Sequence, residues 1–252
     1  MGILNVTPDS FSDGGKWNGV DAALRHAEEM INEGADIIDI GGESTRPGHE
    51  QISISEEIER VLPVIEAVKA SFDIPVSLDT YKSEVAVAGI EAGADILNDI
   101  WGFKYDGKMA GVVADADIPC ILMHNRESTE YDNYPAQVFD ELKASVDISL
   151  SAGVKRENII LDPGIGFGKT YEQNLILMNK LEKMNDLGFP WLLGTSRKSM
   201  IGLTLDLPAD ERVEGTIATS VIGVMKGCSI LRVHDVKENL RAVRMTEGIL
   251  NV

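Results

Sequence analysis

Glu33-Gly34-Ala35-Asp36-Ile37-Ile38-Asp39-Ile40 joins the end of one apolar pattern to the start of another. Upstream of it, Ala23, Ala27, Met30 and Ile31 recur at three- and four-residue intervals, as an amphipathic helix requires. Gly34 stands where a left-handed C-cap would stop that helix, and residues 37–40 then read as a short apolar run of the kind found in strands covered on both faces. Glu91-Ala92-Gly93-Ala94-Asp95 echoes the phrase before a second run at 96–97. Further runs at 3–6, 76–78, 120–123, 159–161, 191–193 and 230–233 bring the number to eight. The spacers predict helices over 21–33, 55–70, 82–91, 107–116, 135–152, 171–185, 208–226 and 235–247; Ile58, Val61, Leu62, Ile65 and Val68, or Val236, Leu240 and Val243, show the period. Eight strand-and-helix units predict an α/β chain closed as a single (β/α)8 TIM barrel, whose active face lies at the strand ends.

At 252 residues the chain has the length of one such barrel, so residues 1–252 are expected to form one domain. Long polar stretches follow the first and second strands, at 7–18 and 41–53, and are expected to act as mobile lids; 125–134 is another. The balance of 41 acidic against 23 basic residues, a net charge of −18, opposes a phosphate backbone as partner but allows a small anion where a few cations converge. No stretch is long and apolar enough to span a bilayer and the start lacks a basic signal region, so a soluble, cytoplasmic protein is expected. Cys120 and Cys228 lie far apart in apolar surroundings without CxxC spacing, which reads as packing.

Asp162-Pro163-Gly164-Ile165-Gly166-Phe167-Gly168-Lys169-Thr170 imitates a phosphate-binding loop. The P-loop spacing of four residues before Gly-Lys fails, because Gly164 leaves three and the fitting position is Pro163. The glycines are read instead as a tight turn beside Asp162. Neither HExxH nor Gly-x-Ser-x-Gly occurs, so neither a zinc site of that kind nor a serine nucleophile is indicated.

The chemistry-bearing residues cluster at run ends: Asn5, Asp79, Asn98, His124, Asp162, Lys198, Arg232 and His234. Asp79 and Asp162 each have a helix-capping alternative, and Asn98 a loop-bonding one. Together, two carboxylates and an amide suit a flat heterocycle bearing several N–H donors, with Lys198 serving a carbonyl or ring nitrogen. The alternative for Lys198 is a solvated surface cation. Arg232 and His234 alternate about Val233, so an extended backbone sends both to one side, where they would share an anion; the alternative is an ion pair with Asp235 or a nearby acidic residue. A structural role for His124 is at least as well supported as one in the mouth.

Residues 1–15, Met-Gly-Ile-Leu-Asn-Val-Thr-Pro-Asp-Ser-Phe-Ser-Asp-Gly-Gly, closely resemble the opening signature of the dihydropteroate synthase family. Gly41-Gly42-Glu43-Ser44-Thr45-Arg46-Pro47-Gly48 is similar to its second signature, and Leu161-Asp162-Pro163-Gly164 with Gly166-Phe167-Gly168-Lys169 to a third. Ser196-Arg197-Lys198-Ser199 and Arg232-Val233-His234-Asp235-Val236 complete the order. The resemblance implies the same barrel and the transfer of a dihydropterin-methyl group from its diphosphate ester to 4-aminobenzoate, giving dihydropteroate and diphosphate in folate biosynthesis by an SN1-like path. It places Asp79, Asn98, Asp162 and Lys198 on the pterin, and Asn5, Arg232 and His234 on the diphosphate and its Mg²⁺, with Asn5 the metal ligand. It assigns Phe11, Asp13, Thr45 and Arg46 to two closing loops, with Asp13 accepting the amine proton or holding the cation, and Ser199 to the benzoate carboxylate. A homodimer and sensitivity to sulfonamides are implied as well. Two other readings compete: a pterin-dependent methyltransferase barrel, against which the Arg232/His234 pair and the loop signatures argue, and a non-catalytic pterin-binding paralogue.

The chain also departs from the pattern, since Met1 abuts the first strand without a leading segment, which is expected to bear on stability more than chemistry. Gly-Ile-Leu-Asn-Val occurs twice, at 2–6 and at 248–252.

Overall fold

A computed structural model describes residues 1–7, 16–44 and 51–252, with the side chains of 16–18 outside the description. Strands β1 (Gly2–Asn5), β2 (Ile38–Gly41), β3 (Val76–Asp79), β4 (Ile96–Asp99), β5 (Cys120–Met123) and β6 (Ile159–Asp162) pair in parallel in chain order, and β7 (Leu192–Leu193) pairs with β8 (Ile230–Leu231). Two parallel bridges join these sheets into a ring: Leu161 with Trp191, and Gly2 with Val233. At the second seam Ile3 N–H donates to the Val233 carbonyl at 3.0 Å and Val233 N–H to that of Met1 at 3.0 Å. The expected closed (β/α)8 barrel is therefore the fold, and the strand runs of the sequence lie within a residue or two of the observed ones.

The two-residue side-chain period explains how such short strands build two cores. Outward residues Leu4, Ile38, Ile40, Val76 and Leu78 meet Ala23, Ala27, Met30, Val61, Val64 and Val68 of the helices α1 (Lys16–Asn32) and α2 (Ile54–Ser71). Leu97, Leu122, Leu161 and Leu193 do the same on the other half of the ring. Inward residues Ile96, Ile121 and Leu192, with Met1, Ile37, Ile160 and Ile230 against them, form a separate apolar plug inside the barrel. Two residues further along the strands, the same inward face carries Asp39, Asn98, Asp162, Gly194 and Arg232. An apolar floor thus supports a polar layer at the mouth.

The remaining helices are α3 (Ser83–Glu91), α4 (Met109–Ala116), α5 (Ala136–Ser151), α6 (Tyr171–Asn179), α7 (Ser199–Leu205), α8 (Val213–Met225) and α9 (Val236–Leu250). Helix α7 was not expected from the sequence: its seven residues are too few to display a period, and Gly202 interrupts the signal. The single helix expected over 171–185 is divided, ending at Asn179 and continuing as a 3-10 turn over Leu181–Leu187, in which Leu181 and Met184, three residues apart, are both buried. Helix α4 begins at Met109 and not at 107, because the Asp106 carboxylate accepts the Lys108 and Met109 N–H groups at 2.9 and 3.2 Å and so ends the preceding loop. Residues 208–226 open with a 3-10 turn at Ala209–Glu211 before α8. Among the described residues no helix is long and apolar enough to cross a membrane. Cys120 and Cys228 are free thiols; burial raises both to about 12, as inert packing residues should be.

Candidate active site

Arg232 organises the mouth. Its Nε donates to Asp39 Oδ2 at 2.5 Å and its Nη2 to Asp79 Oδ2 at 2.6 Å, so one guanidinium bridges the carboxylates of β2 and β3. Asn98 Nδ2 reaches both Asp39 oxygens at 3.4 Å from β4. Asp39 is fully buried, and its partners answer the cost of a charge there. Burial works against the Arg232 charge, but Asp39 and Asp79 more than offset it and raise the guanidinium above its usual range. Burial also raises Asp79 to about 7 despite the opposing Arg232. Asp79 Oδ1 is buried with no hydrogen-bond partner among the described residues, which leaves an acceptor open there.

Across the mouth, Asp162 Oδ1 accepts the Gly164 N–H at 2.7 Å, and burial raises its carboxyl while the nearby Lys198 lowers it. Lys198 keeps part of its side chain exposed, yet its ammonium is enclosed enough that desolvation lowers it to about 8, against the pull of Asp162. It donates to the Ile165 carbonyl and sits 4.7 Å from the centre of the Phe167 ring. It is therefore not the solvated surface cation of the alternative reading. The gap between the two sides is kept open by Gly194, whose added Cβ would lie 3.8 Å from Asp162 Oδ2 and 3.9 Å from Arg232 Cβ. Asp79, Asp162, Lys198 and Arg232 feel one another electrostatically, which places them on one rim. Such an arrangement presents carboxylate acceptors, an ammonium donor and an amide to one flat polar ligand.

Asn5 ends β1, half-buried on the inward face. His234 lies two residues beyond Arg232, with Nδ1 2.9 Å from Ser196 Oγ, and its backbone N–H donates to the same hydroxyl at 3.1 Å. The alternative of an ion pair with a nearby acidic residue holds for Arg232, which pairs with Asp39 and Asp79, while Asp235 is paired with Arg197, whose Nη2 is 2.5 Å from Asp235 Oδ1. Ser199 is exposed at the start of α7. Phe11, Asp13, Thr45 and Arg46 lie outside the described residues. His124 is buried behind the mouth, with Nε2 2.9 Å from Glu141 and Nδ1 2.9 Å from Lys169 Nζ.

Two groups were missed by sequence reasoning. Asp39 was absorbed into the apolar run 37–40; a carboxylate within a strand buried on both faces was the available signal, since it has to be paired. The other is a cluster at the root of the second long loop. Lys82 Nζ bonds Glu43 Oε2 at 2.6 Å, Glu57 Oε2 at 2.7 Å and the Ile52 carbonyl at 2.7 Å, while Tyr81 O–H donates to Glu43 Oε1 at 2.5 Å. Desolvation opposes the Lys82 charge, but its bonds to Glu43 and Glu57 prevail and raise it. The separation of these residues by 25 and 39 positions hides the cluster from any local pattern.

A barrel whose strand ends gather this polar cradle defines a pterin-binding enzyme, and residues 1–234 match the family described as pterin binding enzymes. The dihydropteroate synthase of Clostridium beijerinckii is 64% identical over 99% of this chain and 93% of its own length. A Clostridium difficile dihydropteroate synthase crystallised in the presence of pteroic acid superposes with a TM-score of 0.97 at 52% identity, covering 99% of this chain and 95% of its own. A Xanthomonas albilineans dihydropteroate synthase solved with 4-aminobenzoic acid gives 0.96 at 40% identity, covering 100% of this chain and 93% of its own. The chain belongs to the dihydropteroate synthase family.

Proposed function

We propose that this protein condenses (7,8-dihydropterin-6-yl)methyl diphosphate with 4-aminobenzoate, releasing 7,8-dihydropteroate and diphosphate. The observation that carries the reading is the joint placement of Asp79, Asn98, Asp162 and Lys198 with Arg232 at one barrel mouth, with Asp79 Oδ1 unpartnered among the described residues. The carboxylates accept the pterin N–H groups and Lys198 donates to its carbonyl or ring nitrogen. Breaking the methylene C–O bond leaves positive charge spread over the electron-rich ring, which Asp79 and Asp162 stabilise; negative charge grows on the diphosphate, which His234 and the remaining donors of Arg232 receive. The bond electrons leave with the diphosphate, the amine of 4-aminobenzoate supplies the new C–N bond, and Asp13 takes its proton. Phe11, Thr45 and Arg46 keep water from the cation, and Ser199 holds the benzoate carboxylate.

The donor set accords with magnesium carried in on the diphosphate. Among the described residues no group of three His, Cys, Asp or Glu side chains could form a cage, and Asp39 and Asp79 are engaged by Arg232. Asn5 supplies one neutral oxygen, and the ion prefers oxygen ligands completed by phosphates and water. Bound there, magnesium would neutralise charge on the leaving group. Sulfonamides, which imitate 4-aminobenzoate, would compete with it. A homodimer accounts for the exposed Leu203, Met225, Met245 and Ile249 on α7, α8 and α9, helices that pack side by side.

Incubation of the purified chain with both organic substrates and magnesium should yield dihydropteroate by mass spectrometry, with one diphosphate released per product. A folded sample that binds the pterin diphosphate and yields no coupled product would defeat the assignment.

A further inference from the structure

Lys169, the lysine of the phosphate-loop imitation, has its ammonium taken up inside the protein. It is buried, and its ammonium meets three acceptors: the Gly164 carbonyl at 2.8 Å, the Phe167 carbonyl at 2.9 Å and His124 Nδ1 at 2.9 Å. An ammonium has three protons and accepts nothing, so His124 Nδ1 is the acceptor and its Nε2–H donates to Glu141. His124 is then a neutral imidazole, in keeping with the burial and neighbouring cations that hold it far below its usual range. Burial lowers Lys169 as well, to about 7, with Asp162 and Glu141 opposing and Lys198 and Arg126 assisting.

The peptide held by Lys169 is the one that holds Lys198. Between the two carbonyls that Lys169 draws inward lie Ile165, whose carbonyl accepts from Lys198 Nζ, and Gly166, whose added Cβ would sit 3.2 Å from Lys198 Cδ; the Phe167 ring lies under the same ammonium. Gly164, Gly166 and Gly168 all have positive φ, and a Cβ on Gly164 would fall 1.9 Å from the His124 carbonyl, so the loop is pressed against the end of β5. Tyr131 O–H donates to the Gly168 carbonyl at 2.8 Å, and Asn174 Oδ1 accepts the Gly166 N–H at 2.7 Å. The loop is thus clasped from behind by one lysine and presents its front to another.

We propose that Lys169 is a positioning residue for pterin recognition: by seating the Gly164 and Phe167 carbonyls against neutral His124, it fixes the loop that holds Lys198 beside Asp162. This rests on the pterin reading of the mouth. It assigns the glycine-rich loop a task that neither phosphate binding nor a plain turn describes.

The test is a double-mutant cycle read as affinity for 6-hydroxymethylpterin by titration calorimetry, with melting curves to verify folding. Lys169→Met and Lys198→Met are each expected to weaken binding about ten-fold, the size of one hydrogen bond to a charged group. Because Lys169 acts through Lys198, the double variant should bind within about two-fold of Lys198→Met alone. Additive losses, near a hundred-fold in the double variant, or unchanged affinity in a folded Lys169→Met protein, would overturn the inference. If Lys169→Met does not fold, His124→Gln enters the same cycle with the same criteria. Failure of the native chain to bind the pterin would overturn the reading of the mouth itself, an outcome distinct from additivity.

Discussion

On the proposed reading, Asp79 and Lys198 would set opposite limits on the pH range in which the mouth holds a pterin. Asp79 would accept from the ring only as a carboxylate, and burial raises it to about 7; Lys198 would donate best as an ammonium, and burial lowers it to about 8. Pterin affinity measured across pH should therefore rise through about 7 and fall above about 8, and Asp79→Asn should abolish the acid limb. Stability follows the same groups by linkage. In the acid range the fold holds the Asp79 proton more tightly than the unfolded chain does, so this group's contribution declines as pH rises from its ordinary value of 3.8 to about 7. Lys198 acts in the other direction, its penalty easing as pH rises from about 8 to 10.5. Arg232 couples affinity to stability: Arg232→Ala leaves Asp39 and Asp79 buried without their cation, and should cost about 3–5 kcal/mol in thermal or chemical denaturation besides impairing diphosphate release. A folded variant with an unchanged melting curve would refute that role. The place of Asp79, Asn98, Asp162 and Lys198 at the mouth was legible because they stand at run ends; that of Asp39 was not, because its necessity shows only once Arg232 is placed against it.

The strand ends and the loops that follow them carry distinct tasks. At β2, the Glu43–Lys82–Glu57 cluster ties the strand end to Ile52 and α2, and so fixes the separation of the two ends of the second long loop. Lys82→Met strips the cation from two nearly fully buried carboxylates and should lower unfolding free energy by about 3–5 kcal/mol, read from the midpoint of a urea titration. A loss below about 1 kcal/mol would mean that water or a protonated carboxyl replaces the lysine. At this scale the sequence served well where apolar spacing persisted over many residues, as in α2 and α9. It failed at α7 and at the 179–181 break, where seven residues or one turn are too short for a period.

Across the whole molecule, the exposed apolar side chains of α7, α8 and α9 give the homodimer proposal its test. The native chain should sediment as a dimer, and Leu203→Glu with Met225→Glu should sediment as a monomer with its melting curve little changed, since both side chains are exposed in the single chain. A native monomer at micromolar concentration would remove the proposal. The distinction between local and global control is clearest in Gly-Ile-Leu-Asn-Val. At its first occurrence the pentapeptide begins β1, with Leu4 fully buried; at its second it runs into the end of α9, with Ile249 59% exposed. Residue preference cannot separate the two copies, because the same side chains satisfy either backbone until neighbouring strands or a preceding helical turn supply the hydrogen bonds. What the sequence by itself determined was the period of each segment, the glycine stops between them and the order of signature motifs, hence the barrel and its family. Only the tertiary structure decided which charges meet: Arg232 reaches Asp39 across 193 positions because barrel closure brings β8 beside β1, whose other neighbour is β2, and a buried carboxylate is stable only where such a partner arrives.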